Sequence, residues 1–209
     1  MKRIYLIRHG QTEWNADGRW QGMMDVPLSQ AGIEQAAALA KYMGVMPIQS
    51  LYASDLQRAV QTAEPLAEAL GLPMVQDARL REQNLGVFQG LTHEQHREKY
   101  PELVQAMYVD YWGFTFPEGE SRAQVRDRVI AFWNELLAHE PEGETVVILH
   151  GGTIRVLLIH LLGPLRELEH VKIVNTSITT LEITEGGLRL VELAQIPHLQ
   201  QTPQATDAL

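Results

Sequence analysis

The chain contains no cysteine, which excludes a disulfide framework and any thiolate metal site. It also lacks a long apolar run. No stretch approaches the ~20 residues needed to span a bilayer, and residues 4–7 are too short an apolar block to act as a signal-peptide core behind Lys2 and Arg3. Positive charge is scarce as well. With 17 Lys+Arg against 26 Asp+Glu, the net charge of −9 argues against a nucleic-acid surface, which needs a basic footprint. These absences point to a cytoplasmic chain that works on neither membrane nor nucleic acid. They also set a condition: if so acidic a chain binds an anion, it must gather a few cations in one place.

What is present is a 45% hydrophobic fraction over 209 residues, with glycine and proline scattered as punctuation and no internal repeat. Residues 1–209 therefore read as a single domain with one sizeable core. Residues 2–7 read as a buried strand ending at Arg8-His9-Gly10. Ser29 is placed to cap a helix that turns Ile33, Ala36, Ala37, Ala40 and Met43 to one face. After a strand at 48–53, Asp55 is placed to cap a second helix with Ala59, Ala63, Leu66, Ala67 and Leu70 inward and Gly71 at its stop. A short strand is expected near Met74-Val75.

Thr92 with Gln95 and Ser121 with Gln124 match the capping box, the second opening a long helix that buries Val125, Val129, Phe132, Trp133 and Leu136. Residues 145–149 are a β-branched strand ending at His150-Gly151-Gly152, followed by a helix from near Thr153 to Gly163-Pro164. Residues 177–183 and 188–194 form a hairpin around Gly186-Gly187. The tail after Pro197 is polar and reads as flexible. Strands alternating with helices imply an α/β fold with a mostly parallel sheet covered on both faces. Both polar motifs, at His9 and at His150, follow the carboxyl end of a strand, the edge where open α/β sheets bind ligands.

An imidazole beside a guanidinium disfavours its own protonation, so His9 next to Arg8 stays neutral and nucleophilic near pH ~7. Arginine also grips phosphate oxygens and could bring phosphorus within reach of the ring. On its own, Arg8-His9-Gly10 reads more readily as solvated strand-end residues, because short motifs often match without function.

The longer segment Leu6-Ile7-Arg8-His9-Gly10-Gln11-Thr12-Glu13-Trp14-Asn15 strongly resembles the signature of the histidine phosphatase superfamily, which includes cofactor-dependent phosphoglycerate mutases. The resemblance continues through Gln21-Gly22 and Asp25-Val26-Pro27-Leu28-Ser29, then Ser54-Asp55-Leu56-Gln57-Arg58-Ala59. It picks up again at Arg81-Glu82, Gly86 to Gly90, Pro117-Glu118-Gly119-Glu120-Ser121 and Leu149-His150-Gly151-Gly152, all in the family's order. It implies a phosphoglycerate-mutase-like three-layer α/β sandwich in which His9 becomes phosphohistidine. Arg8, Arg58 and His150 would surround the transferring phosphoryl group, Asn15 would bind its oxygens with Gln21 and Gly22 nearby, and Glu82 would donate the proton to the leaving oxygen. No metal or cofactor is implied.

The chemistry fits these residue types. Phosphoryl transfer is mostly positioning and charge stabilisation, and two arginines supply rigid donor forks without a metal. Gly151 leaves room for close approach at a helix N-terminus that favours anions. Negative charge from bound phosphate helps Glu82 hold its proton, and as carboxylate it can then activate water.

The interval 83–149 between Glu82 and His150 is short, as in the family's phosphatase branch, whereas its mutases carry an insertion there. A phosphatase for small phosphorylated metabolites is therefore favoured over a phosphoglycerate mutase, and both over a silent phospho-ligand sensor or metal-assisted hydrolysis. His93 and His96 read as a surface pair, and His139, His160, His170 and His198 have no motif support. Trp112, Phe114 and Phe116 read as core or lid packing, with some of them as candidates to face the leaving group. The leaving group itself is open among phosphoglycerates, sugar phosphates, nucleotide-pathway and cofactor-precursor phosphates. Exposed strand edges are compatible with a homodimer.

Overall fold

The computed structural model describes residues 1–139, 142–163 and 171–199. Its elements are β1 (Lys2–Arg8), α1 (Glu13–Ala16), α2 (Gln30–Met43), β2 (Ile48–Ala53), α3 (Gln57–Leu70), β3 (Met74–Gln76), α4 (His93–Lys99), α5 (Pro101–Val109), α6 (Arg122–His139), β4 (Gly143–Leu149), α7 (Gly151–Leu162), β5 (Ile178–Thr184) and β6 (Gly187–Gln195). One six-stranded sheet runs in the order β3-β2-β4-β1-β5-β6. The first four of these are mutually parallel, and the β5–β6 hairpin adds to β1 in antiparallel fashion.

The side-chain alternation of β1 and β4 explains the layering. Ile4, Leu6, Val147 and Leu149 face one way and pack with Val129, Trp133, Leu136, Ile154 and Leu157 of α6 and α7. Tyr5, Ile7, Val146 and Ile148 face the other way and pack with Leu39, Met43, Ala59, Ala63 and Leu66 of α2 and α3. A strand apolar on both faces must be covered twice, and the result is the three-layer sandwich expected from the alternating elements. A smaller satellite core of Phe88, Val104, Met107 and Phe116 sits under α4 and α5. No helix among the described residues is long and apolar enough to cross a membrane.

Both capping boxes form as expected. Other expectations are corrected. The inner face of α2 is Gly32, Ala36, Leu39, Ala40 and Met43, while Ile33 is 51% exposed and Ala37 lies outside; the helix is rotated by one residue, so that Leu39 reaches the core. Asp55 does not cap α3, whose N-cap is Leu56 without a side-chain bond; its carboxylate is instead taken by the Arg81 guanidinium at 2.6 and 2.7 Å.

His96 is not a surface residue. It is fully buried, its ring against Trp20 and Phe88, and bonds the Phe88 carbonyl at 2.8 Å. The start of the tail is not loose either: Pro197–Leu199 form a 3-10 turn with His198 buried and bonded to Thr176 Oγ1 at 2.9 Å. Residues 200–209 and His170 lie outside the described residues.

Candidate active site

Residues far apart in sequence meet because β1 and β4 are parallel neighbours. Arg8 pairs with Leu149 in register, so His9 and His150 leave the sheet side by side, with the His9 N–H bonded to the Leu149 carbonyl at 2.9 Å. Their ring centroids lie 5.1 Å apart at 56°. On the far side of β4, β2 ends at Ala53 against Ile148, which delivers Ser54 to His150: Ser54 Oγ and His150 Nε2 are 2.9 Å apart. Arg58, the second residue of α3, arrives at the same edge.

His9 is only 3% exposed, and its Nδ1 lies 2.7 Å from the Gly10 carbonyl. A carbonyl can only accept, so Nδ1 carries the proton and Nε2 is left with the lone pair. Burial first, then the positive charges of Arg58 and Arg8, hold His9 well below the ordinary histidine value of 6.5. The loop carrying it is tied from several sides. The Gly10 N–H donates to Thr62 Oγ1 at 2.9 Å. The Thr176 N–H donates to the Arg8 carbonyl at 2.9 Å, and Asn175 Nδ2 to the His9 carbonyl at 3.0 Å. A Cβ on Gly10 would fall 2.8 Å from the Gly32 carbonyl oxygen, so α2 packs too closely there for any side chain.

Arg58 is buried at 1% exposure and spends two guanidinium nitrogens on the Gly22 and Met24 carbonyls, both at 2.7 Å. Burial draws its pKa down to about 10. Arg8 gives one bond to the Ile173 carbonyl at 2.8 Å, and burial lowers it too. Neither arginine has a carboxylate partner among the described residues. The Nε of Arg8, the Nε of Arg58 and the Nδ1 of His150 are all buried without a hydrogen-bond partner. Unsatisfied buried polar atoms cost about 1–3 kcal/mol each and are uncommon in native proteins. Three of them around one neutral imidazole fit a phosphoryl group, whose oxygens accept such bonds.

Glu82 reaches the site from the opposite loop. Its carboxylate accepts from the Gly152 N–H (2.9 Å), the Gln83 N–H (2.9 Å) and Thr153 Oγ1 (3.1 Å). Gly152 is required for this: a Cβ there would stand 2.6 Å from Glu82 Oε1. Arg128 of α6 fixes the loop by donating to the carbonyls of Arg79, Arg81 and Glu82 at 2.6–2.9 Å while pairing with Glu120.

Arg8, His9, Asn15, Gln21, Gly22, Arg58 and Glu82 line one cavity of about 310 Å³. Asn15 is held there by the Thr12 capping box and by Asn175 Nδ2 at 3.1 Å from its Oδ1. Gln21 Oε1 is buried without a partner, and Gly22, at φ +54°, presents its carbonyl to Arg58. Gly151 lies in the adjoining opening beside Arg8, where a Cβ would come 3.4 Å from Arg8 Cδ. Gly152 thus makes room for Glu82, while a side chain at Gly151 would meet Arg8 only at ordinary contact distance.

Sequence reasoning did not identify Asn175, Arg128, Tyr111, Arg122 or Arg155. Arg122, directly after Pro117–Ser121, was the only one with a nearby signal. Of the aromatic trio, Phe116 is core and none lines the cavity; Tyr111, one residue earlier, does. Among the described residues no three His, Asp or Glu side chains converge as a metal-binding group.

Known proteins resemble this chain over most of its length. A mycobacterial glucosyl-3-phosphoglycerate phosphatase solved in complex with VO3 superposes with a TM-score of 0.83 at 35% identity, over 93% of this chain and 100% of that one. The alpha-ribazole phosphatase of Shigella flexneri gives 0.83 at 26% identity, over 92% and 96%. A Yersinia pestis protein named "Probable phosphoglycerate mutase GpmB" is 34% identical over 187 residues, 89% of this chain and 87% of its own. The sequence pattern of the histidine phosphatase superfamily (branch 1) matches residues 4–196, and the chain belongs to that family.

Proposed function

We propose that this chain hydrolyses phosphate monoesters of small metabolites in the cytoplasm, through a phosphohistidine on His9 and without a metal ion. The observation that carries the reading is the uncharged, tautomer-fixed His9 set among the unpartnered Nε–H donors of Arg8 and Arg58 and the unpartnered Nδ1 of His150.

In the first step His9 Nε2 attacks phosphorus, a P–N bond forms and the ester P–O bond breaks. The departing oxygen takes a proton from the Glu82 carboxyl, worth about 10²–10⁴-fold for an alkyl leaving group. The Gly10 carbonyl accepts the Nδ1–H and stabilises the positive ring of the adduct. The guanidiniums of Arg8 and Arg58, with Asn15 and His150, offset charge on the equatorial oxygens, the role a metal ion fills in other phosphoryl-transfer sites. In the second step Glu82, now a carboxylate, takes a proton from water. The oxygen attacks phosphorus, the P–N bond breaks, and phosphate leaves with His9 neutral again.

The likeness to proteins named as phosphoglycerate mutases supplies the alternative in which a substrate hydroxyl replaces water. A phosphate-ester panel decides between them. The wild type is expected to release inorganic phosphate, to keep doing so with chelator present, and to yield an acid-labile phosphoenzyme on rapid quench. His9→Ala should show none of these. Positional isomerisation of phosphoglycerate without phosphate release would establish the mutase instead.

A further inference from the structure

The chain between α7 and β5 returns to the nucleophile. Asn175, half-buried there, does not itself line the cavity, yet its side-chain amide reaches two residues that do. Its Nδ2 donates to the His9 carbonyl at 3.0 Å and to Asn15 Oδ1 at 3.1 Å. The Asn15 amide has only one workable orientation. Its Oδ1 also lies 3.2 Å from the Thr12 backbone nitrogen, and a backbone N–H can only donate. With Oδ1 held by two donors, the Nδ2 of Asn15 is the end left over. It has no partner among the described residues, and Asn15 lines the cavity. An NH2 group offers hydrogen, which is what a phosphoryl oxygen accepts.

The backbone behind Asn175 is equally constrained. Thr176 has φ +54°, a left-handed conformation that a β-branched residue adopts only where its surroundings impose it. Three bonds impose it here. The Thr176 N–H donates to the Arg8 carbonyl at 2.9 Å, and its hydroxyl donates to the Asn175 carbonyl at 2.8 Å. With that proton committed, the same oxygen accepts from Nε2 of the buried His198 at 2.9 Å. The resulting turn aims the Asn175 side chain at His9 and Asn15.

We propose that Asn175 is a positioning residue for phosphoryl binding. It locks the Asn15 amide with its NH2 group toward the cavity and ties that group to the backbone of His9, so that donor and nucleophile keep a fixed relation. The inference rests on the hydrolase reading above and adds to it a residue that never meets the substrate.

Side-chain amide spectra and a double-mutant cycle test it. Inorganic phosphate is expected to shift the Asn15 NH2 signal in 15N spectra of the wild type, and Asn175→Ala should abolish that shift. With 4-nitrophenyl phosphate, Asn175→Ala should lower kcat/KM by roughly 10- to 100-fold, the range for losing a hydrogen bond to a charged group. In an Asn15→Ala background the same change should cost less than about threefold, since the donor it orients is already gone. Asn175→Asp keeps the shape and removes both donors, so it should lose at least as much as Asn175→Ala. Thermal melts separate misfolding from lost alignment, and if Asn175→Ala does not fold, Asn175→Asp in the two backgrounds makes the same comparison. An Asn15 signal unmoved by phosphate in the wild type, the full loss in both backgrounds, or wild-type rates in Asn175→Asp overturns the proposal. If the wild type hydrolyses no ester, the hydrolase reading fails by itself. The positioning role is then judged by the Asn15 shift and by calorimetric Kd values for inorganic phosphate in the same cycle, where additive losses, or a wild type that binds no phosphate, overturn it.

Discussion

The substitution Gly152→Ala isolates the placement of Glu82 from the stability of the fold. Gly152 is the second residue of α7 and its backbone is helical, so alanine meets no conformational barrier there. The added Cβ would stand 2.6 Å from Glu82 Oε1 and 3.1 Å from its carboxyl carbon. Ordinary contact begins near 3.4 Å, so the carboxylate must move by about 1 Å. Because the obstacle is the end of a side chain, the protein yields locally. The melting temperature is expected to stay within about 4 °C, the equivalent of roughly 1 kcal/mol in a chain of this size.

Catalysis tolerates such a shift poorly, and about 1 Å of misplacement costs on the order of 10²-fold. If Glu82 protonates the departing oxygen, the loss must follow leaving-group basicity. For 4-nitrophenyl phosphate, whose phenolate departs unaided, kcat should fall less than about fivefold; for an alkyl phosphate it should fall about 100-fold. A plot of log kcat against leaving-group pKa would steepen in the variant. A uniform loss across esters would refute the acid role of Glu82, and no loss at all would refute the packing argument.

Two further predictions concern protons. His9 is kept neutral partly by the charge of Arg58, so Arg58→Met should move the NMR titration midpoint of the His9 ring upward towards 6.5, while Arg58→Lys should move it less; an unmoved or lower midpoint contradicts the assignment. His198 is buried and titrates at about 4 when folded, against ~6.5 unfolded. Between those values the unfolded chain binds a proton that the folded chain does not. Stability therefore falls as pH drops from about 6.5 to 4, by up to about 1.4 kcal/mol per pH unit for this group. His198→Gln should flatten the drop in urea midpoint over that window, with an unchanged slope as the contrary result.

The residues that meet at the cavity were readable because they lie in local signals. His9 and His150 each follow the end of a β-branched or apolar strand, and glycines beside them mark close packing. Failures came where a neighbour distant in sequence decided the outcome. His96 sits on a short polar helix and looks solvent-facing by spacing, yet Trp20 and Phe88 close over it. Asp55 has the chemistry of a cap, but Arg81 offers a two-pronged ion pair, which outweighs a single backbone N–H. Asn175 follows no motif and matters only because the chain after α7 returns to the His9 carbonyl.

Sequence alone determined the layered α/β plan, since strands apolar on both faces need helices on both sides, and it named imidazoles, guanidiniums and a carboxyl that the fold brings together. Only the tertiary structure decided their company. The parallel register of Arg8 with Leu149 set two histidines side by side, and packing placed Arg122 and Arg155 in the lining of the same cavity as Arg8 and Arg58. Local composition fixes what a segment can form. Which charges meet, and which are left for a ligand, depends on contacts between segments that are distant in sequence.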